Sequence, residues 1–104
     1  MRVRHLLTRR QGEQPAGLIA TLTDVSAPLD ERDDAASDLG FYDEALTILI
    51  KVASEPSQDE NLADTCAESV FEILERTRDF SRVDYQTLPS HWCRAIEEMK
   101  QKNA

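Results

Sequence analysis

The segment 31–74 decides the fold, and it reads ERDDAASDLGFYDEALTILIKVASEPSQDENLADTCAESVFEIL. Its first part places Arg32, Ala35, Ala36 and Leu39 at i, i+3, i+4 and i+7, a spacing that puts them on one face of a helix. Gly40 follows and is expected to end that helix in the left-handed conformation. A second helix is predicted over 44–54, where apolar residues cover more than half of the circumference. The pattern therefore predicts two helices joined by a tight turn, the second being the central and most buried one.

Helices are also predicted on both sides of this pair. A short helix should begin near Pro15 and end near Asp24, and the break at Ala27-Pro28 should let the Arg32 helix start at about Leu29. After the loop 55–58, a long helix should run to about Arg78, capped by Asp59 or Asn61. Its apolar stripe is expected to comprise Leu62, Ala63, Cys66, Ala67, Val70, Ile73 and Leu74.

The end of the chain predicts one more helix behind a connector. Segment 79–88 carries enough apolar residues to fold back onto the core, and a helix should start at Pro89-Ser90. Its apolar positions, Trp92, Ala95, Ile96 and Met99, repeat at i, i+3, i+4 and i+7. At the other end, segment 1–13 is basic. We interpret it as a solvated or internally paired terminus, in which Leu6 and Leu7 anchor a short helix.

Composition narrows the class of protein. The 104 residues suit a single domain, and scarce glycine, proline and aromatic residues favour helices over a sheet. The formal net charge is −8, which disfavours nucleic acid because phosphate binding normally needs a basic surface. No segment has the length and apolarity of a membrane span or a signal peptide. Two cysteines without a disulfide framework indicate a reducing cytoplasm, with both thiols expected to be buried.

The segment also resembles a known repeat. Arg32, Ala35-Ala36, Leu39-Gly40, Glu44-Ala45-Leu46 and Leu49 resemble the HEAT repeat of the bilin-lyase-like class, and the likeness extends over about 18–74. The resemblance implies an all-α fold of five to six helices, arranged as a short right-handed solenoid (an αα-superhelix) or as a bundle. Solenoids of this kind are typically protein-binding scaffolds.

Catalytic and metal-binding motifs are missing from the sequence. The two histidines, His5 and His91, lie at opposite ends of the chain, and no glycine-rich phosphate loop or HExxH motif is present. His91 and Cys93 are two residues apart, so they should point to different faces of their helix. Asp64, Glu68 and Glu72 recur every four residues, which we interpret as a solvated acidic face. We therefore predict a protein without enzymatic activity, metal or cofactor.

The functional hypothesis is a protein-binding module with an acidic docking surface. Small acidic bacterial proteins with HEAT-like helices include immunity proteins that neutralise a toxin, so we favour an immunity protein for a basic toxin domain. The alternatives are an accessory or chaperone-like subunit that binds a chromophore or cofactor through Cys66 or Cys93, and an oligomeric scaffold. A plainer interpretation of the net charge is solubility. The candidate partner-binding residues are Asp30, Glu31, Asp33, Asp34, Asp38, Asp43, Glu44, Glu68, Glu72 and Glu75.

Overall fold

The computed structural model describes residues 14–102, and in that range every regular element is a helix. The α-helices are α1 (Ala16–Thr23), α2 (Leu29–Asp38), α3 (Leu46–Ala53), α4 (Glu60–Thr77) and α5 (Ser90–Lys102). Single 3₁₀ turns occupy Leu39–Phe41, Asp43–Ala45 and Tyr85–Thr87. The prediction of an all-α chain is thus confirmed for the described part. The short helix predicted around Leu6 and Leu7 lies outside it.

Helix α4 is the element against which most of the others pack, whereas α1 packs against α2. Helix α4 contacts α2, α3, α5 and the 3₁₀ turn at Leu39–Phe41. Helix α3 buries five of its eight residues, as its apolar pattern predicts, but it is not the central helix. Length explains the difference, because at about 1.5 Å per residue the 18 residues of α4 offer more than twice the packing length of α3.

The predicted core positions are buried. Leu22 of α1, Leu49 of α3, Leu74 of α4 and Ile96 of α5 are fully inaccessible to solvent and belong to one apolar cluster. Helix α2 contributes Ala35 and Ala36, whose small side chains allow close approach to α4. The Ser69 hydroxyl donates to the Ala36 carbonyl oxygen at 2.7 Å, which satisfies a buried polar group at this contact.

Local capping determines both ends of α4. The Asp59 carboxylate accepts hydrogen bonds from the backbone N–H groups of Asn61 and Leu62, each at 3.1 Å, so the predicted N-cap is confirmed. At the other end, Arg78 adopts the left-handed conformation, with φ 58°, that glycine usually provides. Its guanidinium donates to the carbonyl oxygens of Met99 and Lys100 at 3.2 and 3.3 Å, and so ties the end of α4 to the last turns of α5.

Gly40 does not end α2 in the way the sequence predicted. Its backbone lies outside the left-handed region, and the chain continues through the 3₁₀ turn Leu39–Phe41. A Cβ atom at Gly40 would instead lie 2.5 Å from Glu72 Oε1 and 3.1 Å from Ser69 Oγ. The glycine is therefore favoured by the close approach of the Glu72 and Ser69 side chains of α4, and not by a special backbone conformation.

The connector after α4 folds back as predicted. Tyr85 and Leu88 are buried, and Phe80 and Val83 pack against the core cluster. The Tyr85 hydroxyl donates to the Glu97 carboxylate of α5, and burial is the main cause that raises the pKa of this phenol to about 12. These contacts tie the connector to α5, which also packs against α4.

Candidate protein-binding surface

The turn between α2 and α3 is held against α4 by Arg76. The Nη2 group of Arg76 donates to the Gly40 carbonyl oxygen at 3.0 Å, and its Nε donates to Asp43 Oδ1 at 3.1 Å. Nη2 also reaches the same Asp43 oxygen. A guanidinium that binds a carboxylate and a carbonyl together fixes the geometry of the turn. Asp43 thus anchors the turn, and α3 has no side-chain cap.

The fixed turn presents an aromatic side chain to solvent. Phe41 has 64% of its surface exposed, although it lies between buried Gly40 and half-buried Tyr42. The exposed carboxylates of Asp43 and Glu44 follow directly in the chain. The sequence predicted a tight turn at this point but did not identify Phe41 as an exposed residue.

Predicted acidic residues of α4 lie close to this turn. Glu72 of α4 approaches Gly40, and Glu68 and Glu75 lie one turn away from Glu72 on either side along the same helix face. The structure therefore joins carboxylates that are about thirty residues apart in the sequence. We use the name "acidic face" for these residues of the turn and of α4, namely Asp38, Phe41, Asp43, Glu44, Glu68, Glu72 and Glu75. The cation Arg76, which pairs with Asp43, lies among them.

The remaining predicted residues lie elsewhere on α2. Asp30 and Glu31 are exposed in its first turn, at the opposite end of the helix from Phe41. Asp30 and Asp33 line a small cleft of about 240 Å³ beside Asp59 at the start of α4.

Asp33, Asp34, Asp38 and Glu72 are half-buried and make contacts within the chain. The exposed members of the acidic face, Glu44, Glu68 and Glu75, are therefore the better sites for charge reversal.

A second polar cluster, which the sequence did not predict, joins α4 to α5. Asp64 Oδ1 accepts a hydrogen bond from Trp92 Nε1 at 2.6 Å and lies 3.2 Å from His91 Nε2. The Trp92 ring packs against Phe71, with the ring centroids 5.8 Å apart. Trp92 is half-buried, and the indole N–H is directed to this carboxylate. The spacing of Trp92 along α5 identifies its apolar face, but no local pattern pairs it with Asp64.

The two cysteines lie in different environments. Cys66 is fully buried in α4, and burial raises the pKa of its thiol to about 12; nearby Asp33 adds to the shift and Arg32 opposes it. Cys93 is only half-buried, so the prediction that both thiols are buried is wrong for this residue. The Cys93 thiol lies 3.3 and 3.2 Å from the carbonyl oxygens of Tyr85 and Leu88, whereas His91 faces Asp64. The two side chains therefore have separate partners.

Metal sites and membrane-spanning helices each require specific features of the chain. In that part of the chain, no three His, Cys, Asp or Glu side chains converge to hold a metal ion. None of the helices there combines the length and the apolarity required to cross a bilayer.

Known proteins offer no relative from which a role can be transferred. No protein-family model, curated protein or solved structure matches the chain. Over residues 14–102 the structure is all-helical and carries the acidic face beside an exposed aromatic residue.

Proposed function

We propose that the chain is a non-catalytic protein-binding module that docks a basic partner through its acidic face. The observation that supports this most strongly is Phe41, which is 64% exposed on a turn held by Gly40 and Arg76. Exposed aromatic residues among charged neighbours are frequent anchors of protein interfaces, because they bury a large area when the partner covers them. The turn is already ordered, so binding needs little further loss of backbone entropy.

The carboxylates around Phe41 suit a basic partner. Glu44, Glu68 and Glu75 are exposed, and they add to a net charge of −8 over the whole chain. Complementary charge speeds encounter and disfavours acidic competitors, while a central apolar contact lengthens the lifetime of the complex. The proposal therefore assigns the association rate to the carboxylates and the dissociation rate to Phe41.

The more specific proposal is an immunity protein that neutralises a basic toxin domain in a bacterial cytoplasm. It is supported by the acidic charge and by the HEAT-like residues of α2 and α3. Arg32, Ala35, Ala36, Leu39, Ala45, Leu46 and Leu49 are all buried, as the packing side of such a repeat requires. We propose on the same basis that α2 and α3 form one repeat of a short HEAT-like superhelix.

The test begins with recovery of the partner from the source cells with a tagged chain, followed by binding kinetics. Phe41→Ala should raise the dissociation constant by tenfold or more, on the order of 2 kcal/mol for an interface anchor, mainly through faster dissociation. Val25→Ala is the matched control, because Val25 is 84% exposed and lies outside the acidic face. A Phe41→Ala variant that binds as tightly as Val25→Ala would refute the proposed anchor.

Charge reversal tests whether the carboxylates of the acidic face raise the association rate. Glu44→Lys should lower the association rate several-fold at low salt and leave the melting temperature nearly unchanged. Glu98→Lys, an exposed carboxylate on α5, changes the net charge equally at another site. Equal rates for the two variants would show that only the overall charge matters.

Toxicity of the partner when expressed alone, relieved by co-expression of this chain, would support the immunity role, and a non-toxic partner would remove it.

A further inference from the structure

A cleft of about 520 Å³ opens near the start of α2, away from the acidic face. Its walls come from the α1–α2 connection, α2, α3 and the α3–α4 connection, and we name it the Arg32 cleft. Its volume lies within the usual range of small-molecule sites, about 300–1,000 Å³. The proposed partner-binding surface does not use it.

One wall of the cleft is formed by Arg32, a charged residue that is nevertheless buried. The side chain is only 8% exposed, and its Nε donates to the Leu22 carbonyl oxygen at 2.9 Å. Leu22 lies in the last turn of α1, where carbonyl groups have no partner within the helix. In the described part of the chain, this is the only hydrogen bond found for the guanidinium, which carries further N–H donors on its two Nη atoms. Arg32 is therefore oriented and largely desolvated, and it retains donors for a group that enters the cleft.

The other charged groups on the wall are Lys51 and Glu55. Two cations and one carboxylate line the cleft, and the Asp24 carboxylate lies near it, with a pKa lowered by hydrogen bonds from Ser26 and also by Arg32. The site therefore has no large excess of positive charge, and a ligand with a single negative charge suits it best. A doubly charged phosphate would leave a negative excess beside Glu55.

The rest of the wall includes apolar side chains. Val25 is 84% exposed, and Ile48 and Val52 of α3 line the cleft beside it. Such side chains favour a ligand that carries a hydrocarbon part, because covering them removes apolar surface from water. Inorganic anions provide no such part.

We propose that the Arg32 cleft binds a small monocarboxylic acid with an apolar body. The carboxylate pairs with Arg32 and Lys51, since a guanidinium fork matches the two carboxylate oxygens. The hydrocarbon part covers Val25, Ile48 and Val52.

The test is an NMR titration of the ¹⁵N-labelled full chain with hexanoate, hexan-1-ol and inorganic phosphate. Hexanoate should bind with a dissociation constant on the order of 1 mM. It should shift the amide signals of Val25, Lys51 and Ser57 on the cleft wall, and leave those of Phe41 and Glu44 unchanged. Hexan-1-ol and phosphate should each bind at least several-fold more weakly. Equal binding of the alcohol, tighter binding of phosphate, or no shift at the cleft would each overturn the proposal.

Variants separate the cleft from general charge effects. Lys51→Gln should weaken hexanoate binding about two- to fivefold, as expected for a partly solvated ion pair. Lys102→Gln removes the same charge from an exposed site at the end of α5 and should have no effect. Lys51 is exposed, so its replacement should not disturb folding, whereas Arg32 also supports α1. Equal affinities for the two variants would contradict the assignment of the carboxylate to this cleft.

Discussion

The two ends of helix α2 differ in how closely they pack. At the C-terminal end, the turn containing Gly40 lies directly against Ser69 and Glu72 of α4. At the N-terminal end, the chain leaves the Arg32 cleft and a smaller cleft beside Asp30. Both ends belong to one ten-residue helix whose middle is anchored by Ala35 and Ala36.

Side-chain size accounts for the difference. Glycine and serine at the C-terminal end let two backbones approach closely, and the closed contact leaves Phe41 outside on the surface. At the N-terminal end, the long side chain of Arg32 lines the cleft and binds the Leu22 carbonyl oxygen of α1. Tight packing therefore accompanies the proposed protein-binding surface, and looser packing accompanies the proposed small-molecule cleft.

The largest expected effect concerns the reactivity of Cys66, a buried thiol close to the N-terminal half of α2. Cys66 is buried near Arg32, and burial raises the pKa of its thiol to about 12. At pH 8 only about one such thiol in ten thousand is the reactive thiolate. In Cys93→Ser, the remaining Cys66 should react with a thiol reagent at least ~100-fold more slowly than the remaining Cys93 does in Cys66→Ala.

The pH dependence of the Cys66 reaction rate tests whether the pKa of its thiol is raised. Because the pKa of Cys66 is raised, its reaction rate should keep increasing with pH between 9 and about 12, as thiolate forms in the folded chain. Both variants should react at similar rates in denaturant, which serves as the control. Rapid reaction of Cys66 in the folded chain would show that the Arg32 cleft reaches the core, and would keep Cys66 as a candidate for the accessory-subunit alternative.

A substitution at Gly40 tests the close packing at the C-terminal end of α2. In Gly40→Leu the new side chain must displace Glu72 and Ser69, and we expect the free energy of unfolding to fall by about 1–3 kcal/mol in urea titrations. Gly40→Ala is the graded control. Its methyl group meets first the end of the flexible Glu72 side chain, which can turn away, so the loss should be smaller. Unchanged stability of Gly40→Leu would mean that the two ends of α2 pack alike.

The smallest effect is expected for the ion pair that holds the turn. Arg76→Met removes the bonds to Asp43 and to the Gly40 carbonyl but keeps an apolar stem. Arg76 and Asp43 are 44% and 50% exposed, so the loss should be below about 1 kcal/mol and should shrink at high salt. Arg94→Met, at an exposed position of α5, is the matched control. A loss well above 1 kcal/mol, unaffected by salt, would show that the turn depends on Arg76 far more than its exposure indicates.

The sequence by itself determined where the helices lie. Apolar periodicity, the prolines at 15, 28 and 89 and the Asp59 cap are local signals, and the helices follow them closely. The core positions Leu22, Leu74 and Ile96 follow for the same reason, because the apolar face of a helix is set by residues three and four apart.

Only the tertiary structure decided which helix faces meet. It made α4 the centre in place of α3, gave Gly40 a packing role in place of a capping one, and brought Glu72 beside Gly40. It also left Phe41 exposed and Arg32 buried at a cleft, opposite to what their polarity suggests. These features depend on contacts between residues ten to about thirty positions apart, and the free energy of such contacts comes from the packing of the whole chain. Local spacing does not record that packing.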